Sequence, residues 1–161
     1  LVVYGFAQLF NRDGAEGSLV RNAKGEIVGS RLIAQKFESP KYFWPRPSAV
    51  DYNAAAAGGS NKSPTSTDLT ERASKLVGTY AATSSNPIPA DLVAASGGGL
   101  DPHITLEAAR YHAARVARAR DLPVARVESL VDAHAFSPGG PLTPERIVDV
   151  LALNLALDSL R

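Results

Sequence analysis

The pattern of apolar and polar residues predicts a β-hairpin near the start of the chain. Residues 18–21 and residues 26–37 carry branched and aromatic side chains on either side of a polar turn. That turn, residues 22–25, ends in Gly25, and glycine takes the positive φ of a tight hairpin turn without steric cost.

Further along, apolar residues recur at helical spacing. They predict helices over residues 67–83, 105–120 and 123–134. Thr67 or Asp68 can cap the first helix and Thr105 the second, because their side-chain oxygens accept hydrogen bonds from free amides. Pro123 suits the start of the third helix, where its missing N–H costs nothing.

Two further segments, residues 92–95 and 143–160, have apolar residues whose spacing is not purely helical. Residues 92–95 form a short apolar run between turn signals, which favours a buried strand. Residues 143–160 allow either one helix or a strand at 147–151 followed by a shorter helix. The order of elements is typical of an α+β (mixed α/β) single domain. We expect a small sheet with an early β-hairpin, a long ordered loop and about three to four helices packed on the sheet.

Residues 38–67 form the long loop. They are rich in proline, glycine, serine and asparagine, but they also carry Tyr42, Phe43, Trp44 and Tyr52. So much aromatic surface disfavours disorder, and long ordered loops are usually functional. Two roles remain open for the aromatic residues: they could bind a partner, or they could pin the loop onto the core.

Composition narrows the possible functions. The chain has 161 residues and a net charge of +1, so it lacks the basic footprint of a nucleic-acid-binding protein. It has no cysteine, which excludes disulfides and thiolate metal ligands. Arg115, Arg118 and Arg126 are predicted to form a solvated face of the second and third helices, either an ordinary surface or an interface to an acidic partner.

The first ten residues are apolar and aromatic, and polar residues 11–14 follow at once. They predict either a buried first element or the last turns of a membrane helix that ends in interfacial aromatic residues. The sequence has no run of 18 apolar residues that could span a bilayer.

Candidate catalytic and metal-binding motifs are weak. The glycine-rich turns at 58–61 and 96–99 lack the lysine and hydroxyl spacing of a phosphate loop, so they are interpreted as turns. Asp101 and His103 stand two residues apart, but a zinc site needs further converging ligands, and His112 is interpreted as an ordinary core or surface histidine. Ser96 could join them in a hydrolytic triad, although the usual nucleophile motif is absent.

Six blocks of the sequence combine glycine, aromatic and polar residues in specific order: residues 29–37, 42–49, 52–61, 91–104, 115–120 and 153–158. Taken together, they resemble, in the same order, the blocks of the C subunit of the bacterial potassium-pumping P-type ATPase, the Kdp complex. The resemblance extends over about residues 17–158, with mild departures at Ala34, Ala94, Gly98, His112 and Asp149.

This resemblance implies an accessory subunit without enzymatic activity of its own. In that family the expected partners are a channel-like potassium-binding subunit (KdpA), the ATPase subunit (KdpB) and a small subunit (KdpF), with ATP and potassium acting in the complex. The subunit is expected to support assembly and to raise the apparent ATP affinity of the ATPase subunit in a chaperone-like way. It could also cap the extracellular potassium entrance.

The resemblance also implies a location in the bacterial cell membrane, with a single N-terminal span. Residues 1–10 would be the outer end of that span, and residues 11–161 one soluble domain on the extracytoplasmic side. The expected partner interface includes Gln35, Tyr42, Phe43, Arg46, Ser48, Tyr52, Asn53, Ser60, Asn61, Asp101 and His103. The alternative hypothesis is a free-standing extracytoplasmic binding module or a small serine hydrolase.

Overall fold

The early hairpin is present in the computed structural model, which describes residues 1–160. Strand β1 (Leu19–Arg21) pairs antiparallel with strand β2 (Ile27–Ser30). Gly25 has a φ of 81°, as the turn requires. The predicted hairpin is confirmed, although its second strand is shorter than expected. At Ser30 the side chain accepts a hydrogen bond from the Leu32 amide, and the chain turns away.

Two helices precede the hairpin: α1 (Val2–Phe10) and the single turn α2 (Arg12–Ala15). No side chain of α1 is buried, so the prediction of a buried first element is wrong. Phe6 and Phe10 stack on each other on its surface, with ring centroids 4.8 Å apart. None of the helices within residues 1–160 has the length and apolar character needed to cross a membrane.

Helix α3 (Thr67–Thr79) follows the long loop. Its N-cap is Ser66, and the Ser66 side chain makes no capping bond, so the predicted cap at Thr67 or Asp68 is wrong. Asp68 instead forms an ion pair with Lys62. None of the residues of α3 is fully buried, so this helix contacts the rest of the domain only through side chains that stay partly exposed.

The predicted strand at residues 92–95 is also wrong. The chain forms a single 3₁₀ turn at Ala90–Leu92 instead, and the Ala94 amide bonds the Ala90 carbonyl at 2.8 Å. Leu92 is nevertheless completely buried. The apolar run therefore indicated burial correctly, but a run this short does not distinguish extended from helical backbone.

The second sheet joins strand β3 (His103–Thr105) to strand β4 (Ile147–Asp149) in antiparallel order. Each strand continues directly into a helix, β3 into α4 (Leu106–Arg120) and β4 into α6 (Val150–Asp158). The last strand residue caps each helix: Thr105 accepts from the Ala108 amide at 3.0 Å, and Asp149 from the Ala152 amide at 2.8 Å. The strand-then-helix alternative for the C-terminal segment is thus confirmed.

Helix α5 (Val124–His134) packs between α4 and α6 and completes the body of the domain. A second 3₁₀ turn, Gly140–Leu142, lies in the loop before β4. The α+β fold class is confirmed, with two separate two-stranded sheets rather than one. The core lies between the second sheet and these three helices, and its largest buried apolar side chains are Phe43, Leu92, Ile104, Val116, Val127, Val131, Val148, Leu153 and Leu157.

Candidate partner interface

Two arginines of α4 hold the start of the long loop. Arg115 donates to the Pro40 carbonyl at 2.8 Å and to the Tyr42 carbonyl at 3.0 Å. Arg120 donates to the Lys41 carbonyl at 2.7 Å. Charged donors form some of the stronger hydrogen bonds in proteins. The prediction of a solvated face is therefore wrong for Arg115, which is half-buried, and it holds for exposed Arg118.

Asn154 of α6 fixes the next residue of the loop. Its amide oxygen accepts from the Phe43 N–H at 2.8 Å, and its amide nitrogen donates to the Phe43 carbonyl at 3.1 Å. Both residues are buried, so this pair satisfies backbone groups that would otherwise lie unpaired in the core. The Phe43 ring is completely buried as well, so it anchors the loop rather than offering a contact surface.

An aromatic cluster surrounds Trp44. The Arg115 guanidinium lies 3.9 Å above the indole ring, a cation–π contact, and the Tyr80 ring lies 5.5 Å away. His112 lies beneath this cluster, 6.0 Å from the Trp44 ring, and is completely buried. Its Nδ1 lies 2.9 Å from a guanidinium nitrogen of Arg115, which can only donate.

The electrostatics of this cluster follow from its burial. Removal from water lowers the pKa of His112 to about 3, and the nearby charge of Arg115 adds to the effect. Burial also lowers the pKa of Arg115 to about 10, so Arg115 stays charged at neutral pH. The His112 imidazole is therefore neutral and accepts a hydrogen bond from a charged arginine. The interpretation of His112 as a core histidine is confirmed.

Four residues of the predicted partner interface, Arg46, Tyr52, Asp101 and His103, lie close together in a second group. The Arg46 guanidinium forms an ion pair with the Asp101 carboxylate at 3.1 Å. The other carboxylate oxygen of Asp101 accepts a hydrogen bond from the backbone amide of His103 at 3.0 Å. The Tyr52 hydroxyl donates to the Arg46 carbonyl at 2.8 Å. Burial, with a smaller effect from Asp51, raises the pKa of Tyr52 to about 12, so its hydroxyl stays protonated and remains a donor.

The two glycine-rich turns pack against each other backbone to backbone. The Gly58 amide donates to the Gly98 carbonyl at 2.9 Å. Gly99 has a φ of 70°, and a Cβ at this position would lie 2.7 Å from the Gly58 carbonyl oxygen. The turns need glycine for this close approach, which supports their interpretation as structural turns.

The other residues of the predicted partner interface are partly buried or exposed. Ser48 accepts from the Tyr52 amide at 2.9 Å, and Asn53 is exposed and accepts from the Ala55 amide at 3.0 Å. Asn61 is exposed, with a φ of 47°. Three others are partly buried: Gln35, Tyr42 and Ser60.

Four residues that hold the loop were not among the sequence-predicted site residues: His112, Arg115, Arg120 and Asn154. Asn154 did carry a signal, because it is the one strongly polar side chain inside the apolar stretch 150–157. His112 and Arg115 stand three apart on one face of α4, a spacing that equally fits a solvated face. Their contacts come from loop residues about 70 positions away, and helical periodicity carries no information about those.

The candidate triad of Ser96, His103 and Asp101 is not assembled within residues 1–160. An open cleft of about 550 Å³ is lined by Arg46, Asp101 and His103, together with Asp91 and Glu145. Ser96 is buried and does not line this cleft. No hydrogen bond joins its hydroxyl to His103 in the described part of the chain.

Comparison with known proteins identifies the family. The sequence profile of KdpC, described as "K+-transporting ATPase, c chain", matches residues 1–159. The "Potassium-transporting ATPase KdpC subunit" of Parvibaculum lavamentivorans is 59% identical over 156 residues, which cover 97% of this chain and 83% of that protein. Those of Pseudomonas aeruginosa and Gloeobacter violaceus are each 45% identical over 161 residues, which cover 100% of this chain and 86% of each relative. With these matches along its whole length, the chain belongs to the KdpC family, the C chains of potassium-transporting ATPases.

Proposed function

We propose that this protein is a non-catalytic subunit that assembles with the ion-conducting and ATP-hydrolysing subunits of a potassium-transporting ATPase and is required for their activity together. The observation that supports this proposal best is the segment between β2 and α3, residues 31–66, which contains nearly all of the predicted long loop and is called the braced loop from here on. It has neither helix nor strand, yet Arg115, Arg120 and Asn154 hydrogen-bond its backbone at residues 40, 41 and 43. A surface ordered before binding loses less conformational entropy when a partner docks.

The partners proposed for this surface are the channel-like potassium-binding subunit (KdpA), the ATPase subunit (KdpB) and the small subunit (KdpF). We place the domain on the extracytoplasmic side of the bacterial membrane, with α1 as the end of the membrane anchor. The exposed apolar side chains of α1, such as Val2, Phe6 and Phe10, support that role. From this side the loop could cap the potassium entrance.

Any effect on ATP affinity is proposed to act through the assembled complex. A domain on the extracytoplasmic side cannot touch a cytoplasmic nucleotide. A subunit that binds one conformation of the pump more tightly than another would still change its affinity for ATP, because binding equilibria at distant sites are linked. In this mechanism neither ATP nor potassium needs a site on this chain.

Co-expression with the channel-like and ATPase subunits tests the proposal. The measurements are co-purification on a tag carried by this protein, and potassium-stimulated ATP hydrolysis over a range of ATP concentrations, with and without it. We expect the three chains to purify together, and we expect stimulated hydrolysis to be lost without this subunit. Full activity in its absence, together with no co-purification, would contradict the proposal.

A further inference from the structure

A groove separates α3 from the braced loop. It has a volume of about 390 Å³, within the range of ligand-binding pockets. One wall is largely apolar, and it includes Trp44, Pro45, Pro47 and Tyr52. The other wall is the inner face of α3, where Arg72, Lys75 and Leu76 are followed by Tyr80.

Among the described residues, the acidic side chains of this groove are paired, whereas two of its basic side chains are not. At one end Lys36 lies 3.1 Å from Glu38 and 3.2 Å from Asp51, so the acidic side chains of the groove are already engaged. At the α3 wall, Arg72 and Lys75 form no ion pair with any residue in the range 1–160. The α3 wall therefore carries two positive charges that stand outside any ion pair of the described residues.

Arg72 gives a second, independent indication that the groove binds a negatively charged group. Its Nε atom is buried and has no hydrogen-bond partner among the described residues. Buried donors are nearly always paired, because an unpaired one loses its hydration without compensation. A guanidinium is best satisfied by a planar acceptor with two oxygens, and a carboxylate has that shape.

We infer that this groove binds an acidic, extended segment of a partner subunit, with an Asp or Glu carboxylate on Arg72 and Lys75. Aliphatic or proline residues beside that carboxylate would lie over Trp44 and Tyr52, whose rings provide the apolar surface typical of binding hot spots. This inference rests on the proposed function, and it names the kind of segment that the C subunit would recognise.

The test compares two double variants in the co-purification assay. Arg72→Gln with Lys75→Gln removes the two charges of the groove. The matched control, Lys24→Gln with Arg118→Gln, removes two exposed charges that likewise form no ion pair in the described chain. Thermal unfolding of each isolated variant shows whether the fold is retained.

We expect the groove variant to unfold like the wild type and to retain about tenfold less of the partner subunits, while the control retains the wild-type amount. Retention by the wild type should also fall more steeply with salt than retention by the groove variant. Equal retention by the two variants would overturn the inference. Failure of the wild type itself to retain the partners would instead contradict the proposed function.

The only tryptophan of the chain, Trp44, gives a separate readout, since it lines the groove. Titration of the isolated protein with inorganic phosphate, and separately with ATP, should leave its fluorescence unchanged up to millimolar concentrations. A saturable change that is lost in the Arg72→Gln, Lys75→Gln variant would show a site for small anions, and it would overturn the assignment to an acidic peptide.

Discussion

At the scale of single residues, buried polar side chains determine where the long loop lies. Asn154 bonds both backbone groups of Phe43, and the neutral imidazole of His112 accepts a bond from Arg115 beneath Trp44. Each is surrounded by apolar or aromatic side chains, where a lost hydrogen bond is not replaced by water. Substitution at either position should therefore be costly.

Asn154→Ala tests the anchor of the loop. The substitution leaves the Phe43 N–H and carbonyl unpaired in the core, so we expect the free energy of unfolding to fall by about 2–4 kcal/mol. Urea denaturation followed by circular dichroism measures the change. The control is Asn53→Ala on the exposed part of the loop, for which a change of about 0.5 kcal/mol or less is expected. Similar losses for the two variants would contradict the anchoring role.

His112 predicts a dependence of stability on pH. Its pKa is about 3 in the folded protein, against 6.5 for an ordinary histidine. Between these values the unfolded chain binds a proton that the folded chain does not, so stability is complete above pH 6.5 and falls as the pH drops towards 3. The slope approaches about 1.4 kcal/mol per pH unit.

The measurement is the difference in unfolding free energy between the wild type and His112→Gln across that pH range, which removes the contribution of the carboxylates. We expect the wild type to lose stability more steeply as the pH falls. Titration of the His112 ring by NMR in the wild type gives a second readout. A transition near pH 6.5 in the folded protein would contradict the prediction.

At the scale of elements, the domain contains two kinds of junction: those between a strand and the helix that follows it, and the contact between two turns that are distant in the sequence. The β3–α4 and β4–α6 junctions are capped by the last residue of each strand, so they depend on local chemistry. The packing of the two glycine-rich turns depends instead on a close approach between segments about 40 residues apart. Only the first kind follows from neighbouring residues in the sequence.

Gly99→Ala tests the second kind of junction. A Cβ at Gly99 would meet the Gly58 carbonyl oxygen at 2.7 Å, and the φ of 70° is unfavourable for alanine. We expect the free energy of unfolding to fall by about 2–3 kcal/mol in chemical denaturation. The neighbouring Gly98→Ala is the control, because no atom lies within 4 Å of its Cβ position. An equal effect at both glycines would show that the close approach is not the cause.

At the scale of the whole molecule, the loop, α3 and the cleft around Arg46 form the surface that the proposed function uses. The Arg46–Asp101 ion pair is roughly one-third exposed on each side, so it contributes about 1 kcal/mol or less to stability. Its loss should affect recognition more than folding.

Arg46→Ala is therefore expected to keep its melting temperature to within a few degrees while reducing co-purification with the pump subunits by several-fold. Lys24→Ala, a substitution at the distant hairpin turn, is the control for both measurements. Unchanged co-purification of a folded Arg46→Ala variant would remove this residue from the candidate interface. The same assay applied to Asn61→Ala would show how far the interface extends along the loop.

Features that depend on neighbouring residues could be predicted from the order of amino acids. The turn at Gly25, the cap at Thr105 and helix α5 after Pro123 all follow from side chains within a few positions of one another. The six family blocks likewise identified the family that the comparisons show. The strand predicted at residues 92–95 was wrong because a short apolar run reports burial, and a 3₁₀ turn buries Leu92 equally well.

The structural role of several polar residues depends on contacts between distant segments of the folded chain. Asn154 lies 111 positions from Phe43, and Arg115 lies 75 positions from Pro40, so no local pattern connects them. Helical spacing placed Arg115 on a polar face, but only the folded chain shows that the loop covers that face. Periodicity reports which side of a helix is apolar, whereas the partner of each side chain depends on contacts that form when distant segments pack together.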